Sequence, residues 1–304
     1  MKFELLILGT NAALPANGKF PSAQLLNVEP NHYLIDCGEG TQIQLAHYKV
    51  KRSKINQIFI SHLHGDHILG LPGLLSSFAL SGRTSPLQIF SPKGLKKLIE
   101  LFFSTSATHI PYPIEFHEVS TGEKKVIFSD SRVTVTAFPL THRIATVGYR
   151  FDEKRGPGRI KPDKISEYNL PIPAIKTIIA GSDYRLPSGK IITNAELTRP
   201  PRPARSFAYC SDTSFSKKTA EYVNHVDLLY HEATFAHIDS DNATRTKHST
   251  TTQAATVALL ADTKKLIIGH FSSRYKDLRL LLKEAQVIFP NTALAGEGKK
   301  FSIQ

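Results

Sequence analysis

The stretch "ISHLHGDHILG" at residues 60–70 constrains this chain more than any other. It packs His62, His64, Asp66 and His67 into six consecutive positions, directly after the apolar run "INQIFI". Such a run reads as a buried β-strand, so four metal-binding side chains gather on the loop at its carboxyl end. A lone H-x-H carries little information, whereas three imidazoles and a carboxylate at this spacing carry much more. His62 and His64 can turn their rings to one metal ion while Asp66 and His67 face a second. Gly65 is expected to let the backbone turn sharply between the two pairs. Imidazole nitrogen combined with carboxylate oxygen suits zinc, with manganese or iron as substitutes.

A two-metal site needs further ligands, and other strand ends offer them. "VTVTAFPLTH" ends in His142, "FAYCSD" in Asp212 and "KLIIGH" in His270. Each follows an apolar strand at its carboxyl end, where α/β-type folds collect function. Taken singly, each reads equally well as a cap, a turn or a surface histidine.

The rest of the chain alternates short strands and helices. "KFELLILGT", "AQLLNVE", "HYLIDCG" and "LQIFS" read as strands, and "TQIQLAHYKV", "LPGLLSSFAL" and "PKGLKKLIELFF" as helices. "IEFHEV", "KKVIFSD" and "RVTVTAFPLTH" read as antiparallel strands. After the strands "SFAYCSD" and "DLLYHEAT", "STTTQAATVALLAD" carries Ser/Thr caps ahead of apolar residues at helical spacing. The helix "YKDLRLLLKEAQVIF" and the strand "KKFSIQ" close the chain.

No apolar stretch approaches the roughly 18 residues of a membrane span, so no membrane partner is expected. Cys37 and Cys210 lie far apart without a C-x-x-C partner, which reads as packing and points to a reducing cytoplasm. The net charge of +12 in 304 residues favours a polyanionic partner. It is unevenly spread. From Arg150 to Arg205 there are 12 Lys/Arg against 6 Asp/Glu, half of the whole excess. That segment is also rich in proline and glycine and weak in apolar periodicity, as expected of either a projecting arm or a disordered linker; its Tyr and Ile content argues against full disorder, so residues 150–200 are expected to form a basic arm inserted into a single domain of residues 1–304.

The pattern H-x-H-x-D-H followed by His, Asp and His at strand ends resembles the metallo-β-lactamase superfamily. Within it, "LGTNAALP", "IDCGEGTQIQL", "ISHLHGDHILGLPGLL", "YHEATF" and "KHSTTTQAA" resemble the ribonuclease Z family, zinc-dependent endoribonucleases that remove the 3′ trailer from precursor tRNA. The resemblance covers essentially the whole chain. It implies an α+β fold, a four-layer αββα sandwich with metals along one edge where strands end. It implies that two Zn2+ ions are held, one by His62, His64 and His142 and the other by Asp66, His67 and His270, with Asp212 bridging. Asp36 falls where the superfamily keeps a buried carboxylate that orients the ligand histidines; on turn chemistry alone it is an Asp before a loop glycine. His248 would donate the proton to the leaving oxygen with Glu232 orienting it, and Asp66 would take a proton from the attacking water. His248 also reads as a helix-cap residue beside Ser249 and Thr250. His231 is expected on the other face of its strand from Glu232.

"GPG" at 156–158 resembles the family's tRNA-binding arm, so Arg155, Gly156, Pro157, Gly158, Arg159, Lys161 and Lys164 are candidate contacts to the tRNA backbone. A solvated basic face is the plainer reading. A homodimer follows from the resemblance. Two divalent ions against two carboxylates leave positive charge, which suits an anionic phosphodiester. A thioester hydrolase of the glyoxalase type shares the ligands but carries a C-terminal helical region. Nucleases with a large inserted domain need more than the 58 positions between Asp212 and His270. A generic dinuclear phosphodiesterase is the nearest enzymatic alternative, and a non-catalytic RNA-binding relative with a decayed site is the alternative of a different class.

Overall fold

The computed structural model of the protein describes residues 2–156 and 158–304; Pro157 of the "GPG" segment lies outside them. The chain divides into two compact units, one of Met1–Asp152 with Arg205–Gln304 and the other of Glu153–Ala204.

The larger unit is built on two mixed seven-stranded sheets. The first runs in the order Lys300–Ser302, Phe3–Gly9, Ala23–Val28, Asn31–Ile35, Ile55–Phe59, Leu87–Ser91, Ile114–Glu118. Its pairing is antiparallel as far as Asn31–Ile35 and parallel beyond. The second runs Thr292–Leu294, Leu266–Gly269, Leu228–Glu232, Ser206–Cys210, Thr146–Glu153, Val133–Leu140, Lys125–Ser129. Its first four strands are parallel; Ser206–Cys210 then pairs antiparallel with Thr146–Glu153.

Three apolar layers explain why the strands read as nearly continuous hydrophobic runs. In "FELLILG", Phe3, Leu5 and Ile7 point into a core shared by both sheets, while Leu6 and Leu8 point into a core beneath helices. Strands covered on both faces lose the polar half of the usual alternation. The shared core is strongly aromatic: Phe59 stacks on Phe90 at 4.9 Å and meets Tyr149 and Phe151 edge-on at 5.4 and 5.2 Å. Helices Thr41–His47, Leu71–Leu80 and Leu95–Thr105 cover the outside of the first sheet. Helices Lys217–Tyr222, Thr251–Leu260 and Arg279–Ile288 cover the second. The order helix, sheet, sheet, helix is the four-layer sandwich. Among the described residues, no helix is long and apolar enough to cross a membrane.

One sequence expectation changes here, and two elements appear that the sequence did not announce. "IEFHEV" does not join "KKVIFSD" and "RVTVTAFPLTH" in one antiparallel group. Ile114–Glu118 pairs parallel with Leu87–Ser91 in the first sheet, while the other two pair with each other in the second. Local alternation cannot say which sheet a strand joins. The strand Thr146–Glu153 crosses the point where the composition shifts; its Gly148 is required because a Cβ there would sit 2.3 Å from the Phe138 ring. The helix Ser240–Thr246 has a polar sequence that buries only Ala243, so no apolar periodicity announces it.

The smaller unit has its own core of Leu170, Ile178, Ile192 and Leu197. It contains helices Pro162–Glu167, Ile172–Ile179 and Asn194–Leu197 and two two-stranded ribbons. Pro162, Pro171 and Pro173 stand at helix starts, where the missing N–H is harmless. The composition that weakens periodicity in the sequence is thus the punctuation between short elements.

Candidate metal centre

The carboxyl ends of several strands converge on one cluster. Ile55–Phe59 leads into His62, His64 and the single-turn helix Gly65–Ile68 that carries Asp66 and His67. Val133–Leu140 leads to His142, Ser206–Cys210 to Asp212, and Leu266–Gly269 to His270. Gly65 takes ordinary backbone angles, so the expected glycine turn is replaced by a helix start, and a Cβ at this position would press on Leu69 at 3.0 Å. The helix is seated by backbone bonds, with Cys37 N–H donating to His67 O at 2.8 Å and Gly70 N–H to Cys37 O at 2.9 Å.

Ligand atoms fall into two groups that share Asp212: His62, His64, His142 and Asp212, and Asp66, His67, Asp212 and His270. In the first, His64 Nδ1 lies 3.0 Å from His62 Nε2 and 3.3 Å from His142 Nε2. Asp212 Oδ2 is 3.5 and 3.7 Å from the Nε2 atoms of His62 and His142. In the second, His67 Nε2 and His270 Nε2 are 3.3 Å apart, each within 3.6 Å of Asp66 Oδ2 and 3.4 Å of Asp212 Oδ1. The two oxygens of Asp212 therefore serve different groups.

The outward ring nitrogens decide what the inward ones offer. His67 Nδ1–H donates to Asp36 at 2.7 Å, and His142 Nδ1–H to the Lys247 carbonyl at 2.8 Å. His270 Nδ1 meets Thr234 Oγ1 at 2.9 Å, and His62 Nδ1 meets Ser61 Oγ at 3.0 Å. A neutral ring that donates outward through Nδ1–H turns a lone pair inward at Nε2. Lone pairs facing one another at these distances need a cation between them. Asp212 Oδ1 is buried without a hydrogen-bond partner, which makes the same demand. The donor set therefore fits metal ions, two of them with one carboxylate in common.

The charge balance agrees. Burial, reinforced at His62 by the neighbouring His67, holds His62 below the ordinary histidine range, and burial takes His142 down to about 4. These rings stay neutral and keep their lone pairs. Burial also opposes a charge on His67, but Asp212, Asp66 and Asp36 around it outweigh that and demand positive charge. Asp212 is held well below the carboxylate range, because His270 and His67 overcome its burial.

Asp36 is fully buried and accepts from Ser61 N–H, Ser61 Oγ, Tyr209 OH and His67, all within 2.9 Å. It is far more committed than a turn aspartate. Asp66 is held by the Ala13 N–H at 2.8 Å, an atom that nothing in the sequence marks. Ala13 reaches it with φ 65, in the left-handed region.

A third cluster adjoins the first two. Glu232 accepts from Thr213 N–H, Ser249 N–H, Thr234 N–H and Thr234 Oγ1, and takes His248 Nδ1–H at 2.9 Å. The His248 ring packs 4.9 Å from His142 and 5.5 Å from His270. Burial opposes its protonation, but the Glu232 carboxylate outweighs this and raises its pKa to about 9. The cap of the next helix belongs to Thr250, which forms a capping box with Gln253, so the helix-cap reading of His248 does not hold. His231 is buried outside all three groups, its Nδ1 donating to the Glu232 carbonyl. Thr234 touches Glu232, His248 and His270 together; its place two residues after Glu232 in "YHEATF" was the available signal.

In the smaller unit, Arg155 and Arg159 are exposed. Lys161 is engaged within the unit, donating to the carbonyls of Ala195 and Glu196 at 3.3 and 2.7 Å, and Lys164 pairs with Glu167 at 2.6 Å. Gly156 and Gly158 would meet nothing closer than 3.5 Å with a Cβ, so packing does not require glycine there.

Comparison with known proteins extends these findings. The family model described as Anti-Pycsar protein Apyc1 matches residues 3–149. Ribonuclease Z of Bacteroides fragilis (strain YCH46) is 47% identical over 302 residues, covering 99% of each chain. Human tRNase Z, short form, has the same fold at a TM-score of 0.73 and 30% identity, again over 99% of each chain. The metallo-β-lactamase fold protein YhfI of Bacillus subtilis matches at a TM-score of 0.70 and 17% identity over 99% of this chain and 98% of that one, a likeness of fold.

Proposed function

This chain belongs to the ribonuclease Z family, and from that premise we propose how its site works. The protein is a metal-dependent phosphodiesterase, an endoribonuclease of tRNA 3′ processing. In our reading it cuts precursor tRNA behind the discriminator nucleotide, releasing the 3′ trailer and leaving a 3′-hydroxyl. The observation that carries this is the pairing of two metal-ligand groups through Asp212 with a Glu232–His248 pair beside them.

His62, His64 and His142 would hold one ion and Asp66, His67 and His270 the other, with Asp212 common to both groups and with zinc the natural occupant and manganese or iron able to substitute. Bound there, two divalent ions supply charge neutralisation for a phosphodiester and a water acidified to near neutrality. Asp66, fixed by the Ala13 N–H, accepts a proton from the attacking water. His248 uses Nδ1–H to grip Glu232, which leaves Nε2 to protonate the departing ribose 3′-oxygen. Asp36 orients the His67 ring and so keeps its Nε2 aimed inward.

The smaller unit binds the tRNA backbone, with the exposed Arg155 and Arg159 among its phosphate contacts and with Lys161 and Lys164 mainly holding the unit together. A homodimer working in a reducing cytoplasm completes this reading.

The test is cleavage of a precursor tRNA bearing a 3′ trailer, with His248→Ala alongside. The expected result is one cut leaving a 3′-hydroxyl, with kcat falling about 10²–10⁴-fold in the variant and its metal content unchanged. Near wild-type cleavage by the variant would remove His248 from the chemistry. Hydrolysis of bis(p-nitrophenyl) phosphate without any cut in precursor tRNA would favour a generic phosphodiesterase.

A further inference from the structure

Three cations crowd the loops that carry His142 and His248. Arg143 follows His142, and Arg245 and Lys247 lead up to His248; all three are exposed. Contacts between the two loops bring them together. The Lys247 carbonyl accepts from His142 Nδ1–H at 2.8 Å, and the Arg143 guanidinium donates to the Arg245 carbonyl at 3.3 Å. Lys247 ends the helix Ser240–Thr246 in the left-handed conformation, with φ 55 and ψ 49.

Among the described residues, none of these three has a carboxylate partner within ion-pair distance. Arg245 is satisfied only by the neutral Asn242 side chain at 3.0 Å, although Asp241 stands on the same helix. The nearby Arg274 behaves differently, pairing with Asp239 at 3.0 Å and covering the Phe235 ring at 5.0 Å. Positive side chains at a helix carboxyl end are favoured by its dipole. That accounts for one or two such residues, but it does not explain why a third arrives from a separate loop against like charge.

We propose that Arg143, Arg245 and Lys247 form a cradle for a single RNA phosphate, the one immediately 5′ of the scissile phosphodiester. The inference rests on the tRNA-processing reading and on the role of His248 within it. If His248 protonates the departing 3′-oxygen, it stands on the side of the tRNA body. The three cations flank His248 and His142, so the anion they meet belongs to the acceptor strand rather than the trailer. Such contacts position the strand without reading bases, and they place the scissile bond against the metal-ligand groups.

The test compares wild type with Arg143→Gln, Arg245→Gln and the charge-retaining Arg143→Lys. Each is assayed on precursor tRNA with short and long trailers, and on bis(p-nitrophenyl) phosphate, across a salt series. The expected result for either glutamine variant is a roughly tenfold rise in KM on precursor tRNA. The slope of log(kcat/KM) against log[salt] should become shallower by about one. The penalty should be the same for both trailers, with turnover of the small phosphodiester, metal content and melting temperature unchanged, and Arg143→Lys should recover most of the loss. An unchanged KM and salt slope, equal loss on both substrate classes, or a penalty that grows with trailer length would each overturn the cradle. If wild type itself leaves precursor tRNA uncut, the tRNA reading falls and the cradle falls with it, an outcome distinct from the other three.

Discussion

At the scale of single residues, Asp212 decides the character of the site, because its two oxygens face different imidazole sets. The histidines are individually ordinary; their outward hydrogen bonds to Asp36, Ser61, Thr234 and the Lys247 carbonyl are what aim their lone pairs. The ligand types and spacing were legible in "HLHGDH" and at the ends of apolar strands. Of the groups that orient them, only Asp36 was foreseen, through the family resemblance; a backbone N–H at Ala13 or a carbonyl at Lys247 leaves no mark on residue type. Away from the site, His32 makes a prediction of its own. Its Nδ1 is buried without a hydrogen-bond partner, and burial, reinforced by Lys54, holds its pKa below 6.5. Below pH 6.5 the unfolded chain therefore binds more protons at this position than the folded one, and stability falls as pH drops. Urea unfolding of wild type and His32→Gln at pH 7.5 and 5.5 should show a smaller acid loss in the variant; equal losses would remove His32 from the acid response.

At the scale of elements, the site depends on how the single-turn helix Gly65–Ile68 is seated. Two glycines from different segments make room for it: a Cβ on Gly70 would lie 2.1 Å from the Gly38 carbonyl oxygen, and one on Gly38 would lie 2.4 Å from the Asp66 carbonyl oxygen. Backbone cannot yield as a side-chain tip can. Gly70→Ala should therefore cost about 1–3 kcal/mol of stability, in the range of overpacked cores, and lower the metal content because His67 and Asp66 shift with the helix. Full metal content with wild-type stability would show the seat to be tolerant. Most strands and helices were legible from apolar periodicity. Sheet membership was not: Ile114–Glu118 alternates like its successors yet pairs parallel in the other sheet, a choice made by long-range packing. The helix Ser240–Thr246, which brings Arg245 and Lys247 toward His142, was hidden for the opposite reason, having almost nothing to bury.

At the scale of the whole molecule, two half-parallel sheets bring the carboxyl ends of Ile55–Phe59, Ser206–Cys210 and Leu266–Gly269 to one cluster although their ligands lie as far apart in sequence as His62 and His270. The full-length likeness to ribonuclease Z of Bacteroides fragilis fits a chain whose ligand set spans most of its length. The segment that forms the compact unit Glu153–Ala204 holds 10 Lys/Arg against 5 Asp/Glu, a dense share of the chain's net +12. Replacing residues 153–204 by a short flexible linker should weaken precursor tRNA binding at least tenfold while sparing bis(p-nitrophenyl) phosphate; equal loss on both would mean the rest of the chain needs this unit to fold. The central claim is that two metal-ligand groups joined by Asp212 perform the cleavage together. Titrating the chelator-stripped protein with Zn2+ while following precursor tRNA cleavage tests it most directly. Activity should reach its plateau at two zinc ions per chain, with Asp212→Ala failing to reach it. A plateau at one ion, or an Asp212→Ala variant that binds two and cuts normally, would contradict the account.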